Sequence, residues 1–412
     1  MKTKIKTIGR SKAEVLSDPK TSVDTRVLLI QSLIPLGLKA VEEELQREVK
    51  NLVGMKHERN ENALVRWGNN PGSVYLGGQK VRIEVPRVRN QDKGREQPLQ
   101  AYQALQNPRL IEGQVLSQVI YGLSQGRYED ASIRVAETFG ISGSSVSRKF
   151  IRASSKRLEE MMNRDLSKDD FIVIFLDGKR FAETGIIVVV GVTMTGEKKI
   201  LGLLEAATEN TKVVKEYFER LVERGLKMEH EILIVVDGSK GLRKGVEAVL
   251  GKKAVIQRCQ FHKAENVVSY LPKQHQQEMR LKLKRAYAAE TYEEATNRFG
   301  KLKKELKLMN QSALASLEEG FEETLTLHRL GVFRELGKSL KTTNCIESIL
   351  SQVAQFTDRV DYWKNSDQRQ RWLASALFEV EKNIRRVKGH QYLPMLRQVM
   401  KEQASSENQR CA

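Results

Sequence analysis

The sequence predicts an α/β protein: a mixed sheet covered by helices, interrupted by an all-helical insertion and preceded by a helical, basic region. Three observations carry this. Near-continuous apolar runs of strand length, "FIVIFLDG" (171–178), "GIIVVVGV" (185–192) and "EILIVVDG" (231–238), are what strands buried on both faces require. The stretch "TKVVKEYFERLVERG" between them switches to helical spacing. From 273 to 340 every segment reads as helix, with a basic first half ("KQHQQEMRLKLKRAYAAE"). With 412 residues the chain can form two or three domains and bury a sizeable core.

Taken in order, residues 1–66 form a helical segment in which Leu28, Leu29, Leu33, Leu36 and Leu38 precede "VEEELQREVKNLVG". Residues 67–111 hold a short hairpin and linker, because Val81, Ile83 and Val85 alternate after a Gly-Gly turn. The polar alternates Lys80, Arg82, Arg87 and Arg89 form either a basic ribbon for phosphates or a solvated face. Residues 112–165 contain a predicted helix from Ala131 to Phe139, a turn at Gly140, an N-cap at Ser142 and a second helix. That is helix-turn-helix spacing, and the second helix would present Ser144, Ser145, Ser147, Arg148 and Lys149 to a DNA major groove. Residues 166–272 carry the strands in the order β-β-β-α-β-α-β. Residues 273–340 are the insertion, and 341–412 return as helices.

Composition narrows the partners. Lys+Arg 70 against Asp+Glu 52 gives a net charge of +18, which attracts polyanions and makes nucleic acid the first candidate. Aromatic content of 6% argues against a stacking platform for single strands. Three cysteines, Cys259, Cys345 and Cys411, are too few for a disulfide framework and fit a reducing cytoplasm. The N-terminus lacks the apolar segment of a secretory signal, and no apolar run is long enough for a bilayer, so no membrane partner is expected.

Two apolar runs end alike, in Asp177-Gly178 and Asp237-Gly238. Each alone is a good turn dipeptide. Two ionised carboxylates at the ends of buried strands nevertheless need compensation, and a divalent cation supplies it. Glu347 in "KTTNCIESIL" would complete an oxygen ligand set, although with Asn344 as N-cap it also reads as part of a capping box. Cys259 and His262, in "RCQFHKAEN", have zinc-like spacing without a second pair, so structural zinc is not expected. His57, His230, His275, His328 and His390 are scattered and carry no assignment.

The order Asp177, Asp237, "CQFH", "TTNCIES" resembles the Mutator-like family of bacterial insertion-sequence transposases, and the "VPRVR" hairpin and "RQRWLASAL" extend the likeness over most of the chain. Cys345 departs from it, standing where a small residue such as alanine is expected. The resemblance implies a ribonuclease H-like catalytic domain in which Asp177, Asp237 and Glu347 coordinate two magnesium ions, with manganese able to substitute. Cys259 and His262 occupy the family's (Cys or Asp)-x-x-His signature. The activity implied is binding of an element's terminal inverted repeats, metal-dependent cleavage and transfer of the 3′ ends to target DNA. Double-stranded DNA, a homodimer and a nucleoid-associated location follow, with no nucleotide cofactor. Two alternatives stay open: a helix-turn-helix regulator with an inactive ribonuclease H-like domain, and a structure-selective nuclease of the same fold.

Overall fold

The computed structural model describes residues 23–55, 63–76, 79–106, 108–123, 131, 133–135, 143–181, 184–205, 211–358, 360 and 362–411. Contacts divide the chain into two compact units, 1–119 with 129–150, and 120–128 with 151–412. The division crosses two helices, one between Val119 and Ile120 and one between Phe150 and Ile151.

The first unit is built on helix α1 (Val23–Val53) and an antiparallel sheet of β1 (Leu64–Leu76), β2 (Gln79–Asn90) and β3 (Arg95–Gln97). Val41, Leu45, Val49 and Val53 recur every fourth residue on α1 and bury one stripe against Val74, Ile83, Val85 and Val88 of the sheet. The expected hairpin is therefore present, and β3 adds a strand too short and polar to read from sequence. Glu48 of α1 accepts hydrogen bonds from the Gln100 and Ala101 amides, satisfying open donors at the start of α2 (Gln100–Leu105). Helix α3 (Pro108–Leu123) follows. The helix expected from Ala131 is described only at 131 and 133–135; the Gly140 turn and Ser142 cap lie outside the described residues. Helix α4 (Gly143–Met162) carries the serines and basic residues singled out above.

The second unit holds a five-stranded mixed sheet of β4 (Phe171–Phe181), β5 (Thr184–Thr193), β6 (Lys198–Glu205), β7 (Ile232–Val236) and β8 (Ala254–Arg258), in the order β6-β5-β4-β7-β8. β4, β5 and β6 are antiparallel, whereas β7 and β8 run parallel to β4. Helices α5 (Thr211–Glu223) and α6 (Lys240–Leu250) provide the crossovers, so the expected strand and helix order is the observed one. Alternation divides each strand between two cores. Val173, Phe175, Leu233 and Val235 enter one core; Ile174, Leu176, Ile234 and Val236 enter the other. Because both faces are covered, these strands have no polar side.

After β8 come α7 (Gln260–Ser269), then the insertion: α8 (Lys273–Tyr287), α9 (Tyr292–Met309), α10 (Gln311–Glu318), α11 (Phe321–Thr324), α12 (Thr326–Arg329) and α13 (Phe333–Leu340). The insertion has its own core, including Leu283, Phe299, Leu306 and Leu317, continuous with Val267 and Val268 of α7. Helices α14 (Asn344–Thr357), α15 (Ser366–Glu381) and α16 (Leu393–Cys411) complete the unit.

A buried polar seam ties the insertion to the sheet. The Lys263 side chain is fully buried, and its Nζ donates to the Ser316 and Glu319 carbonyls at 2.6 and 2.5 Å. Arg258 Nη1 donates to the Glu319 carbonyl at 2.9 Å, so two cations complement the carboxyl end of α10. Gln257 and Gln260 both donate to the Thr324 carbonyl at 3.0 Å.

His328 lies in the same region, stacked on Phe333 with centroids 3.6 Å apart and with Nε2 3.1 Å from the Ala289 carbonyl. Burial holds it down at about 4, against an ordinary 6.5. The unfolded chain therefore takes up a proton between pH 6.5 and 4 that the folded chain refuses, so the contribution is complete above that window and lost as pH falls through it. We expect urea unfolding to show a loss of up to about 3 kcal/mol from this group between pH 7 and 4. His328→Gln should flatten that dependence; an unchanged pH profile would refute the assignment.

Candidate metal centre

The last residue pair between the parallel strands β4 and β7 is Leu176 with Val236. Asp177 and Asp237 each lie one residue beyond it, so the two carboxylates leave neighbouring strands at one level. The two Asp-Gly steps then differ. β4 continues in antiparallel pairing with β5, Asp177 opposite Val188 and on to Phe181, so no turn follows Asp177. After Asp237 the chain does turn: Gly238 has φ +111°, and Asp237 Oδ1 accepts the Ser239 amide at 2.9 Å. Only glycine fits there, since a Cβ would meet Arg258 Nε at 2.1 Å. The turn reading therefore holds for Asp237 and fails for Asp177.

Two helix starts close over these strand ends. The Cys259 amide donates to the Val236 carbonyl at 2.7 Å, placing the start of α7 beside β7. The Gln260 amide donates to the Lys341 carbonyl at 3.0 Å, which holds the lead-in of α14 against α7. The N-cap of α14 is Thr343, not Asn344, and it makes no side-chain cap bond. Its hydroxyl points to Cys259 Sγ at 3.6 Å instead. The capping-box expectation for Glu347 is thus replaced: Glu347 lies in the first turn with its carboxylate free to face the cleft, where Oε1 is 3.6 Å from His262 Nε2.

Asp177, His262 and Glu347 have ligand-capable atoms all within 4.8 Å of one another, the distance needed for one metal ion. Asp237 is outside this tight group but acts electrostatically on both Asp177 and His262. The group opens into a cleft of about 340 Å³, also lined by Lys179, Leu350 and Ser351. Asp177 is 4% exposed. Burial, reinforced by the Asp237 and Glu347 carboxylates, lifts it to about 6, against the opposing Thr343 hydroxyl and His262. His262 is raised to about 9, first by Cys259 and then by Asp177 and Asp237, while burial opposes. Its Nδ1 is buried without a hydrogen bond of normal geometry, so the sulfur acts by proximity and charge. Burial would raise the Cys259 thiol, yet His262 outweighs it and holds the thiol low.

At neutral pH the centre thus holds a crowd of carboxylates partly balanced by one imidazolium. Hard cations take oxygen donors, so the carboxylates of Asp177 and Glu347, with Asp237 beside them, are the groups that suit a hard divalent ion, while His262 would become a ligand only on giving up its proton to the metal. Sequence reading put Cys259 and His262 near these carboxylates only through the family signature, without a role, and gave Thr343 none. The Cys-x-x-His spacing and the motif order were the signals for the first; the second lay inside "TTNCIES" with no spacing that set it apart.

The residues expected to contact DNA belong to the first unit. On α4, Ser144 and Arg148 are exposed, Ser145 and Ser147 are half-buried, and Lys149 Nζ lies 5.6 Å from the Tyr75 ring centroid. On β2, Arg82 is exposed, Arg87 pairs with Glu96, and Arg89 packs over Trp67 at 4.6 Å. Among the described residues no helix is long and apolar enough to cross a membrane.

A mixed sheet carrying a carboxylate cluster beside its central strands, in a chain of high positive charge, is the framework of an enzyme acting on a polyanion. Comparison with known families makes the class specific: the profile "Transposase, Mutator family" matches residues 21–386, and the chain belongs to that family. It is 25% identical to the transposase for insertion sequence element ISRM5 of Rhizobium meliloti (strain 1021), over 85% of this chain and 89% of the relative. It is 23% identical to the transposase for IS256 in transposon Tn4001 of Staphylococcus aureus, over 73% and 77%. The transposase for IS905 of Lactococcus lactis is 26% identical over 55% and 58%.

Removing the charge of Asp177 should relieve the metal-free protein. In differential scanning fluorimetry at pH 7.5 with chelator, Asp177→Asn is expected to melt above wild type, by the equivalent of about 1–3 kcal/mol. Magnesium should raise the wild-type melting temperature and leave the variant unmoved. A variant that melts lower, or responds equally to magnesium, would contradict this electrostatic account.

Proposed function

We propose that this chain is a DDE transposase that binds the terminal inverted repeats of its own element, cleaves the ends and joins the 3′ termini to target DNA. The observation that carries this is Asp177: a buried carboxylate forced upward by burial and by two facing carboxylates, which a divalent cation would resolve. The strand order and the acidic residues beside β4 and β7 support a ribonuclease H-like core formed by 166–272 and 341–412 around the 273–340 insertion. The start of α4 at Gly143 supports a helix-turn-helix within 112–165, with 1–66 and 67–111 as helical and hairpin accessories.

In this reading Asp177, Asp237 and Glu347 hold two divalent ions, magnesium with manganese able to substitute. When bound, such ions activate the attacking oxygen and stabilise the leaving 3′-oxygen of a phosphodiester displaced in line. The rest is the work of the chain. Thr343 and His262 moderate the charge of Asp177, and His262 orients Glu347 across 3.6 Å. Lys179, on the cleft wall, offers a cation to a scissile phosphate. Arg82, Arg87, Arg89 and Lys149, with Ser144, Ser145, Ser147 and Arg148, hold the duplex ends. Synapsis of two ends calls for two copies of the chain, acting in the cytoplasm on nucleoid DNA.

The test uses an oligonucleotide duplex carrying the repeats that flank the gene. Wild type should nick and join it with magnesium, without a covalent protein-DNA adduct. Asp177→Asn, Asp237→Asn and Glu347→Gln should each lower cleavage by on the order of 10²–10³-fold or more while end binding by gel shift persists. Glu347→Gln should cost little stability, because Glu347 makes no helix-capping bond. Cleavage at wild-type rates by any of the three would overturn the assignment; cleavage without joining would point to a structure-selective nuclease.

A further inference from the structure

A second pocket of about 410 Å³ lies in the same unit, lined by Phe261 and Ala264 of α7, Lys284 and Tyr287 of α8, and Lys341 and Asn344 at the start of α14. Its position follows from the chain. Phe261 lines this pocket while His262, the next residue, lines the metal cleft. Lys341, Thr342 and Asn344 line it while Glu347, one helical turn on, lines the cleft. The two cavities thus flank the same pair of helix starts. The insertion contributes to one of them alone.

The lining has a definite chemistry. The wall is mostly apolar, and the Phe261 ring is 46% exposed, an unusual allowance for a phenylalanine beside a charged cleft. Two cations border it without carboxylate partners: among the described residues neither Lys284 nor Lys341 forms an ion pair, whereas Arg280 at the same pocket is bound to Glu265 at 2.8 and 2.9 Å. Burial, then the neighbouring Lys284, holds Lys341 below its ordinary range, and its ammonium lies 5.5 Å from the Phe333 ring centroid. Tyr287 adds a buried hydroxyl with no hydrogen-bond partner of normal geometry. An apolar slot with an open ring and two cations that lack carboxylate partners suits a flat aromatic group carrying an anion, and its volume falls in the range of about 300–1,000 Å³ typical of small-ligand sites.

We propose that this pocket holds one unpaired nucleotide of the DNA strand next to the scissile phosphate, its base stacked on Phe261 and its phosphate on Lys284 and Lys341. The inference rests on the reading of the neighbouring cleft as a DNA-cleaving centre. Low overall aromatic content excludes an extended stacking platform but not a single ring placed one residue from the centre. Capturing a base there fixes the strand on both sides of the cleft and makes the substrate partly unpaired, the state in which a strand end is easiest to position.

The test uses the full-length protein in chelator and a short oligothymidylate carrying one 5-iodouracil, with the blunt duplex of the same sequence as control. On irradiation, the single strand should cross-link to the peptide containing Phe261, and the duplex should not. Phe261→Ala should abolish that cross-link and weaken oligothymidylate binding by about tenfold in anisotropy. Phe261→Tyr, which keeps the ring, should restore both. Lys284→Gln, at an exposed position, should reduce the slope of log affinity against log salt by about 0.7. Cross-linking confined to other peptides, or wild-type affinity and salt slope in these variants, would overturn the proposal. Magnesium-dependent nicking is scored separately on the same preparations. Nicking without the Phe261 cross-link sinks the pocket alone, and the cross-link without nicking upholds the pocket while sinking the cleavage reading.

Discussion

The structure is organised around the cost of keeping Asp177 out of water. A carboxylate on a central strand, 4% exposed and facing two others, is held only because the surrounding elements are fixed by interactions that do not depend on it. β4 is clamped by antiparallel pairing on one side and parallel pairing on the other, and apolar residues cover both faces. Asp237 is placed by the end of β7 and by a turn that only glycine can make. Glu347 is placed by α14, whose lead-in is pinned to α7 through the backbone of Gln260 and Lys341. The acidic cluster is therefore bound to rigid elements, as a precise metal site requires, and folding stability is spent to keep it there.

That arrangement explains the polar seam under the insertion. An insertion of helices between β8 and α14 would act as a loose flap if joined by its two ends alone. Lys263, one residue after His262, is driven into the carboxyl end of α10, and Arg258, one residue before Cys259, joins it there. Burying two cations is costly unless carbonyls and the end of a helix dipole receive them. Here they do, and the consequence is that the start of α7, which carries Cys259 and His262, is fixed by the insertion as well as by the sheet. Movement of the insertion would thus be felt at the carboxylates through consecutive residues.

Much of this was legible in the sequence, for reasons that differ by element. The central strands announce themselves because burial on both faces leaves no polar residue between Phe171 and Leu176 or between Ile232 and Val236. The α1 stripe and the β2 alternation follow from the two periods of secondary structure. Asp177 and Asp237 stood out because charges ending apolar runs are rare. What stayed hidden is what depends on distant partners. The cap of α14 reads as Asn344 on local preference, yet Thr343 is the N-cap and turns its hydroxyl to Cys259, 84 positions away. His262 looked like half a zinc site because its partner, Glu347, carries no spacing signal. Lys263 read as one more basic residue in a basic chain, and no periodicity could reveal that its ammonium ends between two carbonyls more than fifty positions downstream.

The second pocket lies on the far side of the helix starts that carry His262 and Glu347 into the first. A nucleic-acid strand repeats a phosphate and a base at each step, so a site that grips one phosphate leaves the neighbouring nucleotide within reach of whatever lies next along the wall. Alternation of Phe261 and His262 at the first turn of α7 sends consecutive side chains into the two cavities. Asn344 and Glu347 do the same at the first turn of α14. Neither N-cap side chain caps its helix, and the positive dipole ends of both helices lie near the two cavities.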